Sequence, residues 1–149
     1  MKPTKEIEIL IADDDAEDTM LIKDALKESR LKNGIQSVEN GEELMLYLRN
    51  EGKYSDKNKY PTPGIVLLDL NMPKKDGREA LKEIKADKNL RTIPIVVLTT
   101  SKAEEDILKT YNLGVSSFIT KPVKFSTMVE VMKTLNKYWF EIVELPTRD

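Results

Sequence analysis

Four apolar runs of five or six residues punctuate the chain: IEILIA at 7–12, GIVLL at 64–68, IPIVVL at 93–98 and VSSFIT at 115–120. Each is rich in Ile or Val and bounded by polar or turn-forming residues. All are too short for a helix, so they predict strands. GIQSVEN at 34–40 is a weaker fifth. Between them apolar residues recur every three or four positions, the helical period. Leu21, Ile22, Ala25 and Leu26 share a face in DTMLIKDALKES, Leu44 and Leu48 in GEELMLYLRNE, and Ala80, Leu81 and Ile84 in REALKEIKAD. Ile107, Leu108 and Tyr111 do so in EEDILKTYNLG, which Gly114 would close as a C-cap. FSTMVEVMKTLNKYWF supplies a fifth helix, with Ser126 as its N-cap and Met128 and Met132 on its core side. Strand then helix, repeated along the chain, predicts an α/β fold: a doubly wound parallel sheet of (βα)5 type with helices on both faces. The nearly continuous apolar strands agree, because strands of such sheets are buried on both sides.

A length of 149 residues suits one domain with one core. The expectation is a single domain over 1–149, with its core at about 7–137 and an aromatic tail at 138–149. NEGKYSDKNKYPTPG at 50–64 is long for a connection in a compact domain and reads as an exposed insertion. The net charge of -2 argues against nucleic acid or an anionic membrane as partner, and no run is apolar enough for a membrane span or signal peptide. The cytoplasm follows as the expected location. With no Cys and no His, the chain lacks a thiolate nucleophile, an imidazole base and an ordinary zinc site. Any metal must be a hard, oxygen-binding one, and any phosphohistidine must belong to another protein.

In an open parallel sheet the ligand site lies beyond the carboxyl ends of the strands. Asp13 and Asp14 follow the first predicted strand, Asp69 the third, Thr99 and Thr100 the fourth, and Lys121 the last. Three carboxylates, two hydroxyls and an ammonium would therefore meet at one edge. Five carboxylates crowd residues 13–18, and such clustering is poorly tolerated unless it is solvated or holds a cation. Clustered carboxylates without imidazole suit Mg²⁺, or Mn²⁺ in its place. A carboxylate beside Mg²⁺, with a Lys and a Thr to hold phosphoryl oxygens, is equipped to attack phosphorus and become an aspartyl phosphate. Asp69 stands alone at the end of the central strand and is the better nucleophile, leaving Asp13 and Asp14 to hold the metal. Asp15 reads as a helix cap, Lys74 and Lys75 as a solvated loop, and Asp76 and Gly77 as turn chemistry.

ADD at 12–14, LLDLNMPKKDG at 67–77, VVLTTS at 96–101 and FITKP at 118–122 together resemble the receiver domain of two-component response regulators, over nearly the whole chain. The resemblance implies a flavodoxin-like fold with strand order 2-1-3-4-5. It also implies phosphorylation of Asp69 by a histidine kinase, and Mg²⁺ on Asp13, Asp14, Asp69 and the backbone carbonyl of Asn71. Thr99 and Lys121 would engage the phosphoryl group, with Thr99, Thr100 and Phe118 as switch residues. Phe118 stands where the family often has Tyr, and it has no hydroxyl to bond. The long connection and the tail YWFEIVELP are similar to small regulators serving cyanobacterial phytochrome-type kinases.

The leading expectation is a signalling switch rather than an enzyme, with protein contact as its output. A phosphatase or phosphotransferase of haloacid dehalogenase type is the alternative. Such enzymes place a second Asp two residues after the nucleophile, where this chain has Asn71, and an amide cannot transfer the proton. A receiver-like module that no longer accepts phosphate is a third reading, opposed by the complete set of chemical positions. In the tail, Tyr138, Trp139 and Phe140 point around much of a helix, so at least one should face outward. A homodimer on the fourth and fifth helical segments and this tail is the corresponding expectation.

Overall fold

The computed structural model describes residues 8–28, 34–72, 74–99, 117–120 and 124–138, with the backbone alone for Thr99, Ser117, Phe118, Thr120, Met132 and 134–138. Five strands, β1 (Ile9–Ala12), β2 (Ile35–Val38), β3 (Ile65–Asp69), β4 (Ile95–Thr99) and β5 (Ser117–Thr120), form one parallel sheet in the order β2-β1-β3-β4-β5. The described helices are α1 (Ala16–Glu28), α2 (Gly41–Leu48), α3 (Gly77–Ala86) and α4 (Phe125–Tyr138), with a short 3-10 turn at Gly52–Tyr54. The helix expected at 104–114, with its Gly114 cap, lies outside the described residues, and among them no helix is long and apolar enough to cross a membrane.

Side chains alternate across a strand, so each strand feeds two cores. Leu10, Ala12, Val66, Leu68, Ile95 and Val97 face α2 and α3, where they meet Leu44, Leu48, Ala80, Leu81 and Ile84. Ile9, Ile11, Ile65, Leu67, Val96 and Leu98 face α1 and α4, meeting Ile22, Ala25, Leu26 and Met128. Full burial of each Ile, Leu, Val or Met among them is worth roughly 1.5–3 kcal/mol, which makes these two layers the main support of the sheet. Helix starts follow local chemistry. The Asp15 carboxylate accepts from the N–H groups of Glu17 and Asp18 at 2.9 and 3.2 Å, and Asn40 caps α2 by accepting from Glu43 N at 2.8 Å.

Two sequence expectations change. Helix α4 begins at Phe125, with Lys124 O accepting from Met128 N, so Ser126 sits in the first turn and is not the cap. The 50–64 connection is exposed along most of its length, yet it is pinned to α2 and is more than a surface insertion. Tyr54 is buried, and its ring lies 5.3 Å from that of Tyr47 and 4.9 Å from that of Tyr60. Asn50, at φ +52, donates its amide to the carbonyls of both Tyr54 and Tyr60 at 3.0 and 2.9 Å, and Tyr47 donates its hydroxyl to Pro61 O at 3.1 Å. The Tyr54 hydroxyl reaches Glu43 at 2.5 Å, and Lys53 pairs with the same carboxylate at 2.9 Å. Together these two partners hold the Glu43 carboxyl below the usual range.

Candidate functional site

Strand register builds the centre of the site. Ala12 of β1 pairs with Leu68 of β3, so the next residue on each strand, Asp13 and Asp69, ends up side by side. Both continue the rows Ile9, Ile11 and Ile65, Leu67, and both are 2% exposed. Asp14 is exposed, and carboxylate oxygens of Asp13, Asp14 and Asp69 lie within 4.8 Å of one another. Two unit charges at that distance repel by roughly 3.5 kcal/mol at an effective dielectric near 20, a cost that a bound cation removes. The positive end of α1, which begins at Ala16, offsets part of it.

Hydrogen bonds fix the carboxylates. Asp13 Oδ1 accepts from Asp15 N at 2.9 Å, and Asp13 N donates to Val38 O at 3.1 Å. Asp69 Oδ1 accepts from Asn71 N at 3.1 Å. The loop from Leu70 to Asp76 is then held at both ends. Gly77 N donates to Leu70 O and Gly41 N to Lys75 O, each at 3.0 Å. These approaches need glycine. An ideal Cβ would lie 2.3 Å from Asp69 O at Gly77 and 2.1 Å from Lys75 O at Gly41. Asp76 is therefore not simple turn chemistry: it caps α3, accepting from Arg78 N at 2.7 Å. Lys74 is exposed as expected, at a left-handed φ of +63, whereas Lys75 is half-buried and pairs with Glu83.

The sequence reading missed Arg78. Its Nη1 donates to both oxygens of Asp76 at 3.0 and 2.8 Å, and its Nη2 lies 3.4 Å from Asn71 Oδ1. The only local signal was its place two residues after a capping Asp. Lys23 was also missed; with Thr19, Ser37 and Glu39 it lines a cleft of about 220 Å³ beside Asp13 and Asp14. Of the other expected residues, Thr99 ends β4 one step beyond the Asp69–Leu98 pair and matches Thr120, while Phe118 pairs with Val97 in β5. Tyr138 is the last residue of α4, and Thr100, Lys121, Trp139 and Phe140 lie outside the described residues.

The donor set fits a small divalent cation: all oxygen, three carboxylates, two of them buried. Mg²⁺ prefers such hard oxygen donors, and Asp13, Asp14 and Asp69 would supply them.

The response regulator receiver domain model matches residues 9–133. Response regulator Rcp1 of Synechocystis sp. is 38% identical over 138 residues, covering 93% of this chain and 92% of that protein. Among solved structures, the phosphorylated cyanobacterial phytochrome response regulator RcpA is 41% identical with a TM-score of 0.77, over 92% of this chain and 96% of that one. The Mn²⁺-bound form of Rcp1 is 36% identical with a TM-score of 0.75, over 91% and 96%. Strand order, the acidic pocket at the strand ends and these matches lead to one conclusion: the chain belongs to the response regulator receiver domain family.

Proposed function

We propose that this chain is a phosphoacceptor switch whose Asp69 takes a phosphoryl group from the phosphohistidine of a histidine kinase. The supporting observation is the pairing of Asp69 with Asp13 at the ends of adjacent strands, with Asp14 completing a hard-oxygen cluster. In the transfer, a carboxylate oxygen of Asp69 forms a bond to phosphorus as the bond from phosphorus to the kinase imidazole breaks, and the imidazole leaves. These 149 residues contain no His, so the donor imidazole lies outside them. Asp13, Asp14 and Asp69, with the carbonyl of Asn71, would hold Mg²⁺ or Mn²⁺, which supplies positive charge to the phosphoryl oxygens when bound. The Asn71 N–H donates to Asp69 Oδ1 and helps hold the carboxylate. Lys121 and Thr99 would hold the remaining oxygens, and Thr99, Thr100 and Phe118 would carry the change to the surface.

The similarity to RcpA, a phytochrome response regulator, supports a phytochrome-type kinase as donor; protein contact as output and a cytoplasmic location belong to the same proposal. The single-domain organisation and a homodimer through Tyr138, Trp139 and Phe140 complete the proposal; the three consecutive aromatics support the latter. Intact-mass analysis after incubation with a phosphorylated kinase is the test. Wild type should gain one phosphoryl group and Asp69→Asn none, since Asn keeps the shape and loses the nucleophile. Equal labelling of Asp69→Asn would move the chemistry to another residue.

A further inference from the structure

We propose that Arg78 is a positioning residue that acts through Asn71 to set how long a phosphoryl group survives on Asp69; the inference rests on the phosphoacceptor reading above. The guanidinium is gathered onto one carboxylate. Its Nη1 chelates both Asp76 oxygens, and the Asp76 carboxylate is itself fixed by capping α3 through Arg78 N at 2.7 Å. Side chain and backbone of one residue thus close on the same carboxylate. The fork geometry of the guanidinium then leaves Nη2 directed at Asn71 Oδ1, 3.4 Å away. Asn71 is exposed, and its own N–H donates to Asp69 Oδ1 at 3.1 Å. Asn71 is thus held through its backbone to the nucleophile's carboxylate and through its side chain to the guanidinium, and it stands at the solvent rim of the site.

That rim controls hydrolysis. Loss of the phosphoryl group requires a water oxygen to bond to phosphorus while the bond to the Asp69 oxygen breaks. The carboxylate leaves, and the water's proton passes to solvent. Asn71 is the exposed residue bonded to Asp69, and water reaching the anhydride from its side meets it. With its amide oxygen held by Arg78, the side chain keeps one orientation and screens the anhydride; without Arg78 the amide turns freely and the screen opens. Lys at this position would keep the charge but could not hold Asp76 and reach Asn71 together.

The test uses phosphoramidate as donor with Mg²⁺ present, and follows the decay of phosphorylated protein by intact mass after donor removal. Arg78→Ala should shorten the half-life about three- to tenfold, with Arg78→Lys in between, and the effect should vanish when Asn71→Ala is already present, as coupled neighbours require. A merely structural Asp76–Arg78 pair would lower the unfolding midpoint and leave the half-life alone. Three results overturn the proposal. A half-life in Arg78→Ala equal to wild type removes it while the phosphoacceptor reading stands. Shortening that persists undiminished in the Asn71→Ala background also removes it, because Arg78 would then act by another route. No label on Asp69 in the wild type overturns the phosphoacceptor reading and this inference with it.

Discussion

Replacing Gly77 by Ala probes how closely α3 must approach the strand that bears the nucleophile. The added Cβ would meet Asp69 O at 2.3 Å and Leu70 Cα at 2.6 Å, both backbone atoms with no side-chain freedom to yield. To restore ordinary contact the helix start must retreat by about 1 Å. Such overpacking costs about 1–3 kcal/mol. Retreat also stretches the 3.0 Å bond from Gly77 N to Leu70 O, worth about 1 kcal/mol. Against this, Ala restricts the unfolded chain and returns about 0.4–1 kcal/mol. The net loss is about 1–3.5 kcal/mol, which lowers the unfolding midpoint by roughly 2–14 °C for a domain of this size. Gly52→Ala is the control. Gly52 has φ +58 and nothing within 4 Å of its Cβ position, so it suffers backbone strain alone, about 1–2 kcal/mol. Calorimetry of wild type and both variants measures the stabilities, and phosphoryl uptake from a phosphorylated kinase adds a second axis. Gly77→Ala should slow uptake because Asp69 shifts, whereas Gly52→Ala should not. A Gly77→Ala protein with an unchanged or raised midpoint would refute the argument from close approach.

Saturating Mg²⁺ should raise stability by mass action, about 2.7 kcal/mol at a hundred times the dissociation constant. Asp14→Ala should erase most of that gain and make the metal-free protein more stable by relieving repulsion, and a variant whose midpoint still rises with Mg²⁺ as in wild type would exclude Asp14 from the site. Burial pushes the Tyr47 hydroxyl up to about 12, above its unfolded value near 10, so its contribution is intact below about pH 10 and is lost as pH climbs from about 10 to about 12, by roughly 2–3 kcal/mol. Urea unfolding at stepped alkaline pH should show a shallower loss for Tyr47→Phe, not an absent one, because burial and Glu43 push Tyr54 up as well; parallel curves for the two proteins would contradict this origin.

The strands and helices were legible because hydrophobic periodicity is local: Ile9–Ala12 and Ile65–Asp69 announce themselves by runs of Ile, Val and Leu, and Ala80, Leu81 and Ile84 by helical spacing. Strand order was legible only through the family motifs, since no periodicity states which strand lies beside which. The acidic centre was half legible. Asp13, Asp14 and Asp69 could be named from their places after apolar runs, but their meeting depends on the one-to-one register of Ala12 with Leu68. A slip by one residue would turn Asp69 to the other face. What the sequence concealed involves side chains reaching across a loop or between elements. Arg78 reads as a helix-surface charge until Asp76 and Asn71 are placed around it, and Tyr54 and Tyr60 read as loop residues until Tyr47 gives them a surface to pack on. Composition and periodicity determined the layers, because each residue's burial preference acts where it stands. Tertiary packing alone decided the approach of α2 and α3 to the Asp69 loop, because the free energy of that contact belongs to pairs such as Gly41 with Lys75 and Gly77 with Asp69, and to neither partner alone.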